Sequence, residues 1–141
     1  MILKSSEIVK KFDKKIFFYL LYGQNSAQIE ESIEQIFKPK LSKNIFIYDE
    51  SEIISQIDLF KEEISTKSFF ENDKLIIINR GSDKILELVK SLQEKIYDTV
   101  IIIKSGILEK KSKLRTFFEK NKDTICVPFY NDDLQTLIKL A

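Results

Sequence analysis

Leu75-Ile76-Ile77-Ile78 and Val100-Ile101-Ile102-Ile103 are apolar at every position rather than at alternate ones. A strand with one wet face alternates, so an unbroken β-branched run means that both faces are covered, as in a parallel sheet with helices above and below. Comparable runs flank these two. Phe17-Phe18-Tyr19-Leu20-Leu21-Tyr22, stopped by Gly23, reads as the first strand. Asn44 to Tyr48 is the second, Leu75 to Asn79 the third, Thr99 to Lys104 the fourth and Ile125 to Tyr130 the fifth.

The segments between them carry a helical period. Ile29, Ile33, Ile36 and Phe37 form one stripe, after an Asn25 cap with Gln28 three residues on. Ile53, Ile57, Phe60 and Ile64 form the next, and Ile85, Leu88, Val89 and Leu92 a third, opened by Ser82-Asp83, whose side chains suit the free N–H groups of a helix start. Leu114, Phe117 and Phe118 repeat the pattern, and Leu134, Leu137 and Ile138 close the chain after Asn131-Asp132-Asp133. Ile2 to Phe12 reads as an extra short helix. A helix followed by five strand–helix units predicts a three-layer α/β sandwich, with a five-stranded, mainly parallel sheet and helices on both faces. The 141 residues suit a single domain over 1–141. The last amphipathic stretch runs to Ala141 with no cap, Gly or Pro behind it, which reads as a chain cut where a larger protein would continue.

Absences narrow the chemistry. The chain has no His, which removes His-assisted nucleophiles, imidazole proton shuttles and His-ligated metals. The single cysteine, Cys126, sits inside an apolar strand and reads as a small buried hydrophobe with no intramolecular disulfide partner. The formal net charge of +1 gives no global pull toward nucleic acid or membrane. The longest apolar run, Ile16 to Tyr22, is too short to span a bilayer, and no signal peptide opens the chain. These features fit a cytoplasmic protein.

Sites in open α/β sheets lie at the carboxyl ends of the strands. After the first strand comes Gly23-Gln24-Asn25-Ser26, where a phosphate loop would stand; with one Gly and no Lys it reads as a strand-to-helix turn with a cap. Asp49, Glu50 and Glu52 after the second strand suit either Mg²⁺ or a helix dipole. A receiver domain would need acidic residues after the first and third strands, which end here in Tyr22-Gly23 and Asn79-Arg80. Glu109-Lys110-Lys111 has a nuclease-like spelling but stands at a helix entrance rather than on a strand. The basic run Lys110, Lys111, Lys113, Arg115, Lys120 and Lys122 reads as a solvated helix face or a phosphate contact. In Ser68-Phe69-Phe70 the two adjacent rings leave two arrangements open. One packs inward while the other is exposed, or both project as an apolar knob.

Four of these segments, in order and over nearly the whole chain, resemble the N-terminal domain of the delta subunit of bacterial DNA polymerase III, a clamp-loader subunit. They are Phe17 to Gly23; Ser68-Phe69-Phe70 followed by Lys74-Leu75-Ile76-Ile77-Ile78; Thr99 to Lys104 with Leu108 to Leu114; and Val127-Pro128-Phe129-Tyr130 with Asp133 to Ile138. The resemblance implies a RecA/AAA+-like domain without intrinsic ATPase activity, whose loop Gly23, Gln24, Asn25 and Ser26 is a degenerate phosphate loop binding no nucleotide. It implies no catalytic residue, no metal and no cofactor. It further implies binding to the beta sliding clamp through Phe69 and Phe70, with Ser68 and Lys67 beside them, promoting clamp opening in DNA replication. The gamma/tau and delta-prime loader subunits would be further partners within the polymerase III holoenzyme, and the family's later helical domains are absent from this chain. Phe69 stands where the family more often has Leu, and Asp73 where many relatives have Arg. The reading from another class is a nucleotide- or metal-dependent enzyme on the same scaffold.

Overall fold

Residues 75–78 and 100–103 are all at most 3% exposed, so the two runs that decide the sheet are sealed on both sides. The computed structural model describes residues 2–3, 18–39, 44–62, 74–93, 99–121 and 123–129. Its strands are β1 (Phe18–Gly23), β2 (Asn44–Asp49), β3 (Lys74–Asn79), β4 (Thr99–Lys104) and β5 (Thr124–Phe129). Its helices are α1 (Ser26–Ser32), α2 (Glu50–Ser55), α3 (Leu86–Leu92) and α4 (Lys113–Lys120). The sheet order is β2-β3-β4-β1-β5 and every pairing is parallel. The fold class expected from the sequence is therefore borne out, with the sheet wholly rather than mainly parallel.

Side-chain alternation sorts the interior into two cores. Phe18, Leu20, Tyr22, Ile76, Ile78, Ile101 and Ile103 face one way, under Ile53, Phe60, α3, and Leu114 and Phe118 of α4. Tyr19, Leu21, Leu75, Ile77, Val100 and Ile102 face the other way, under Ile29, Ile33, Phe37 and Leu3. Register aligns like with like: Ile76 lies beside Phe46 on one flank and Ile101 on the other. Burying such runs against helices supplies the main folding drive, at about 25 cal/mol per Å² of apolar surface.

Three local features depart from the sequence periodicity. The chain beyond α1 widens into a π-helical turn, Ile33–Phe37, closed by the Lys38 amide donating to the Ile33 carbonyl at 3.0 Å. The wider turn aims Ile33 and Phe37 inward, leaves Ile36 half-buried, and sets Phe37 edge-on to Tyr19 with centroids 5.0 Å apart. The stripe expected to make one helix through Ile53, Ile57 and Phe60 breaks at Gln56 (φ −142, ψ 55) and resumes over 57–62. Ile2 does not open a helix. It bridges in parallel to Cys126, and the Leu3 amide donates to the Cys126 carbonyl at 2.9 Å, extending the sheet edge. The rest of the expected first helix (4–12) and the closing helix around Leu134, Leu137 and Ile138 lie outside the described residues. Among the described residues no helix is long and apolar enough to cross a membrane.

Candidate functional site

The carboxyl ends of β1, β3 and β4 converge on a crevice of about 400 Å³, bounded by Gly23, Ser26, Glu30, Asn79, Arg80 and Lys104 among others. Only Gln24 and Asn25 separate β1 from α1. Gly23 has φ +129, and a Cβ there would stand 1.9 Å from the Phe129 carbonyl oxygen, so the glycine lets β1 lie close against β5. The amides of this turn are directed at the protein itself. Gly23 N donates to Gly106 O (3.0 Å), Asn25 N to Phe129 O (3.4 Å), Ser26 N to Gln24 O (3.1 Å) and Gln28 N to Asn25 Oδ1 (3.0 Å). The Asn25 side chain also donates to Gln28 Oε1 at 3.3 Å, which completes the cap expected from the sequence.

Each of the crevice's two cations has its own carboxylate. Lys104, whose pKa burial pulls down, pairs with Glu30 of α1. Arg80 occupies the left-handed region (φ 57) and donates from Nε to Asp49 Oδ1 at 2.6 Å. Asp49 also caps α2, accepting from Ser51 Oγ (2.7 Å) and Ser51 N (3.3 Å). The Ser51 hydroxyl first, and then Arg80, hold its carboxyl below the usual value. Glu50 is buried and accepts from both Ser82 N and Ser82 Oγ at 2.8 Å. Of the acidic residues flagged after β2, two therefore serve the start of α2 and its contact with the turn after β3. Among the described residues no group of three or more possible metal ligands is gathered.

The β3–α3 turn reaches onward to α4. Asp83 accepts from Ser112 Oγ (2.6 Å) and Leu114 N (3.0 Å), and the Ser112 bond, then the Leu114 amide, lower its pKa. A carboxyl lowered in the folded state stabilises it fully above the unfolded pKa of 3.8, and that contribution fades as pH falls through the lower folded value. Asp83→Asn is thus expected to lower the melting temperature at pH 7 and to flatten the acid limb of stability below about pH 4, read by thermal melts across pH.

The basic run divides by role. Lys110, Lys111, Lys113 and Lys120 are exposed, as a solvated face requires. Arg115 is held in place: it donates from Nε to Glu119 Oε2 (3.1 Å) and from Nη1 to Leu108 O (2.9 Å), and lies 5.3 Å from the Tyr22 ring centroid. Lys122 lies outside the described residues, as do Lys67, Ser68, Phe69, Phe70 and Asp73. Cys126 is buried as expected, and burial, followed by the charge of Glu119, pushes its thiol up to about 12. Sequence reasoning missed Arg80, Lys104 and the partners of Glu50 and Asp83. The available signals were Gly81 directly after Arg80 and the serine–carboxylate pairing at consecutive strand ends.

Comparison with known proteins gives a consistent family. No curated protein matches the chain. Among solved structures it is similar to the Bacillus subtilis DNA clamp loader delta protein (YqeN), with TM-score 0.66 and 17% sequence identity. That match covers 96% of this chain and 44% of the other, so this chain spans less than half of that protein's length, and the likeness is one of fold. The family model "DNA polymerase III, delta subunit" matches residues 19–128, from the second residue of β1 to the penultimate residue of β5. With that span matched and the five-stranded parallel sheet in common, the chain belongs to the DNA polymerase III delta-subunit family.

Proposed function

We propose that this chain is a non-catalytic clamp-loader domain that binds the beta sliding clamp and favours its opening during DNA replication. The observation that carries the reading is the family match, whose span 19–128 includes Lys67, Ser68, Phe69 and Phe70. Phe69 and Phe70 are the anchors, flanked by Ser68 and Lys67. A pocket on the ring that takes both rings gains roughly 3–6 kcal/mol before ordering costs. Such a wedge opens the ring only by the difference between its affinities for the open and closed forms. The gamma/tau and delta-prime subunits are its neighbours in the assembly. The test is titration of the purified clamp with the chain and with Phe69→Ala and Phe70→Ala. Undiminished binding by both variants would remove these residues from the interface.

The crevice at the strand ends keeps a second reading in view, that of a nucleotide- or metal-dependent enzyme. Two features weigh against a polyphosphate there. Glu30 and Asp49 line the crevice, and the amides of Gly23, Asn25, Ser26 and Gln28 already have acceptors. On the clamp-loader reading the turn is a degenerate phosphate loop with no cofactor. Calorimetric titration of ATP with and without Mg²⁺ is expected to show no saturable heat. Saturable binding that disappears in Lys104→Ala would favour the enzyme instead.

A further inference from the structure

The turn after β3 and the loop between β4 and α4 enclose a second crevice, of about 490 Å³, bounded by Asp83 and Lys84 from the one and Ile107, Leu108, Glu109 and Lys113 from the other. Both walls are tied down. Ser112 Oγ and Leu114 N donate to Asp83 Oδ1 (2.6 and 3.0 Å) and join the two walls directly. On the sheet side, Gly81 N donates to Lys104 O and Ser105 Oγ to Gly81 O, each at 2.8 Å. Across the loop, Arg115 Nη1 donates to Leu108 O (2.9 Å) and Ser112 N to Glu109 O (3.0 Å). A crevice held by such bonds is formed before any ligand arrives, so binding there does not carry the cost of ordering a loop. Its volume falls in the range of about 300–1,000 Å³ that takes a small ligand or a few side chains.

The crevice shows solvent an apolar centre with a cationic rim. Ile107 is 68% exposed, more than any other large apolar residue described, and half-buried Leu108 follows it. Among the described residues Lys84, Lys110 and Lys113 take part in no ion pair. The two carboxylates here already have partners: Asp83 accepts from Ser112 and Leu114, and Glu109 pairs with Lys111 at 3.3 Å. Charge and apolar surface together narrow the occupant. A small inorganic anion would use the lysines and leave Ile107 in water. A nucleic-acid backbone would set Ile107 against charged oxygens and bring phosphates toward Asp83 and Glu109. A wholly apolar peptide would strip water from the lysines without pairing them. A peptide with carboxylates beside a Leu- or Ile-like side chain satisfies both halves, in the usual division of an interface into apolar core and polar rim. We propose that this crevice is a docking site for an acidic segment of a partner protein, which sets an apolar side chain against Ile107 and Leu108 and its carboxylates on Lys84 and Lys113. The site requires neither Phe69 nor Phe70.

The test is titration of the isotope-labelled full chain, followed by amide NMR shifts, with short peptides of alternating Glu and Leu or Asp and Ile. Peptides with Gln for the acids, peptides with Ala for the apolar residues, and a single-stranded oligonucleotide are the comparisons. At an ionic strength of about 50 mM the acidic–apolar peptides are expected to shift the amides of residues 82–84 and 107–113 saturably, and the Gln and Ala peptides at least about fivefold more weakly. Ile107→Ser is expected to weaken binding about five- to thirtyfold. Lys84→Ala and Lys113→Ala are each expected to weaken it about two- to fivefold, with the loss fading as salt is raised. Lys120→Ala, at the far end of α4, is expected to bind as the parent does. The substituted side chains are all exposed, and the same spectra report whether each variant is folded. No saturable shift of those amides by about 1 mM peptide overturns the proposal, and so does an equal loss in Lys120→Ala, which would mark a diffuse basic face. Tighter binding of the oligonucleotide at the same amides replaces the peptide with nucleic acid. Shifts of those amides on concentrating the chain alone make the occupant a second copy, and either result overturns the assignment.

Discussion

Replacing Phe69 and Phe70 together by Ala is expected to weaken binding to the sliding clamp at least about a hundredfold while leaving the melting temperature within about 2 °C of the parent. Each ring removed from a clamp pocket forfeits roughly 1.5–3 kcal/mol of transfer free energy, and every 1.4 kcal/mol is tenfold in affinity. Aromatic anchors carry a disproportionate share of interface energy because they desolvate a large area and freeze few rotors. The two losses will not add exactly, since the rings are adjacent and would share one pocket. The thermal measurement matters as much as the titration. Were the rings part of the folded core, truncating each would cost about 3–5 kcal/mol, and the double variant would be close to unfolded. Surface plasmon resonance together with thermal melts therefore separates an anchor pair from a core pair in a single set of samples.

Gly23→Ala is expected to be the most damaging single substitution in the sheet, costing about 3–5 kcal/mol or preventing folding. The new Cβ would lie 1.9 Å from the Phe129 oxygen, 2.7 Å from its carbonyl carbon and 2.9 Å from its nitrogen. All three are backbone atoms, which cannot swing aside as a side-chain tip would. Relief requires β1 and β5 to part, and these strands are aligned over six residue pairs. The φ of +129 adds its own cost for any residue with a Cβ. Gly106→Ala is the matching control, because nothing lies within 4 Å of its built Cβ, and its stability is expected to stay within about 0.5 kcal/mol. Urea unfolding of the three proteins checks both statements.

Gly23 also illustrates what was legible in the sequence. Its place after the first strand was plain, yet the residues alone suggested a question about phosphate. In the structure its role is steric, and the atom responsible belongs to Phe129, far away in the chain. The double-sided runs at 75–78 and 100–103 declared a buried parallel sheet because burial on both faces leaves its mark on every position. Periodicity could not reveal the π-helical turn at Ile33–Phe37 or the break at Gln56, where packing overrides a regular stripe. Nor could it pair Asp49 with Arg80 or Glu50 with Ser82, since side-chain contacts between separate strand ends have no period to read. The aromatic pair was a different case. Two adjacent Phe residues suit a core as well as a surface, and only the order of neighbouring segments, matched to a family, favoured the surface.

The strand order has a consequence for the chain during its synthesis. β1 is made first, but its neighbours are β4 and β5, and Phe18 must wait for Ile101, over eighty residues later, before it has a lateral partner. At about 5–20 residues per second, that delay on the ribosome lasts roughly 4–17 s. β2 and β3 come together earlier, so the nascent chain assembles one flank while β1, a future inner strand, stays sticky and unmatched. Phe18-Tyr19-Leu20-Leu21-Tyr22 is therefore the stretch that a holding chaperone would meet on the growing polypeptide.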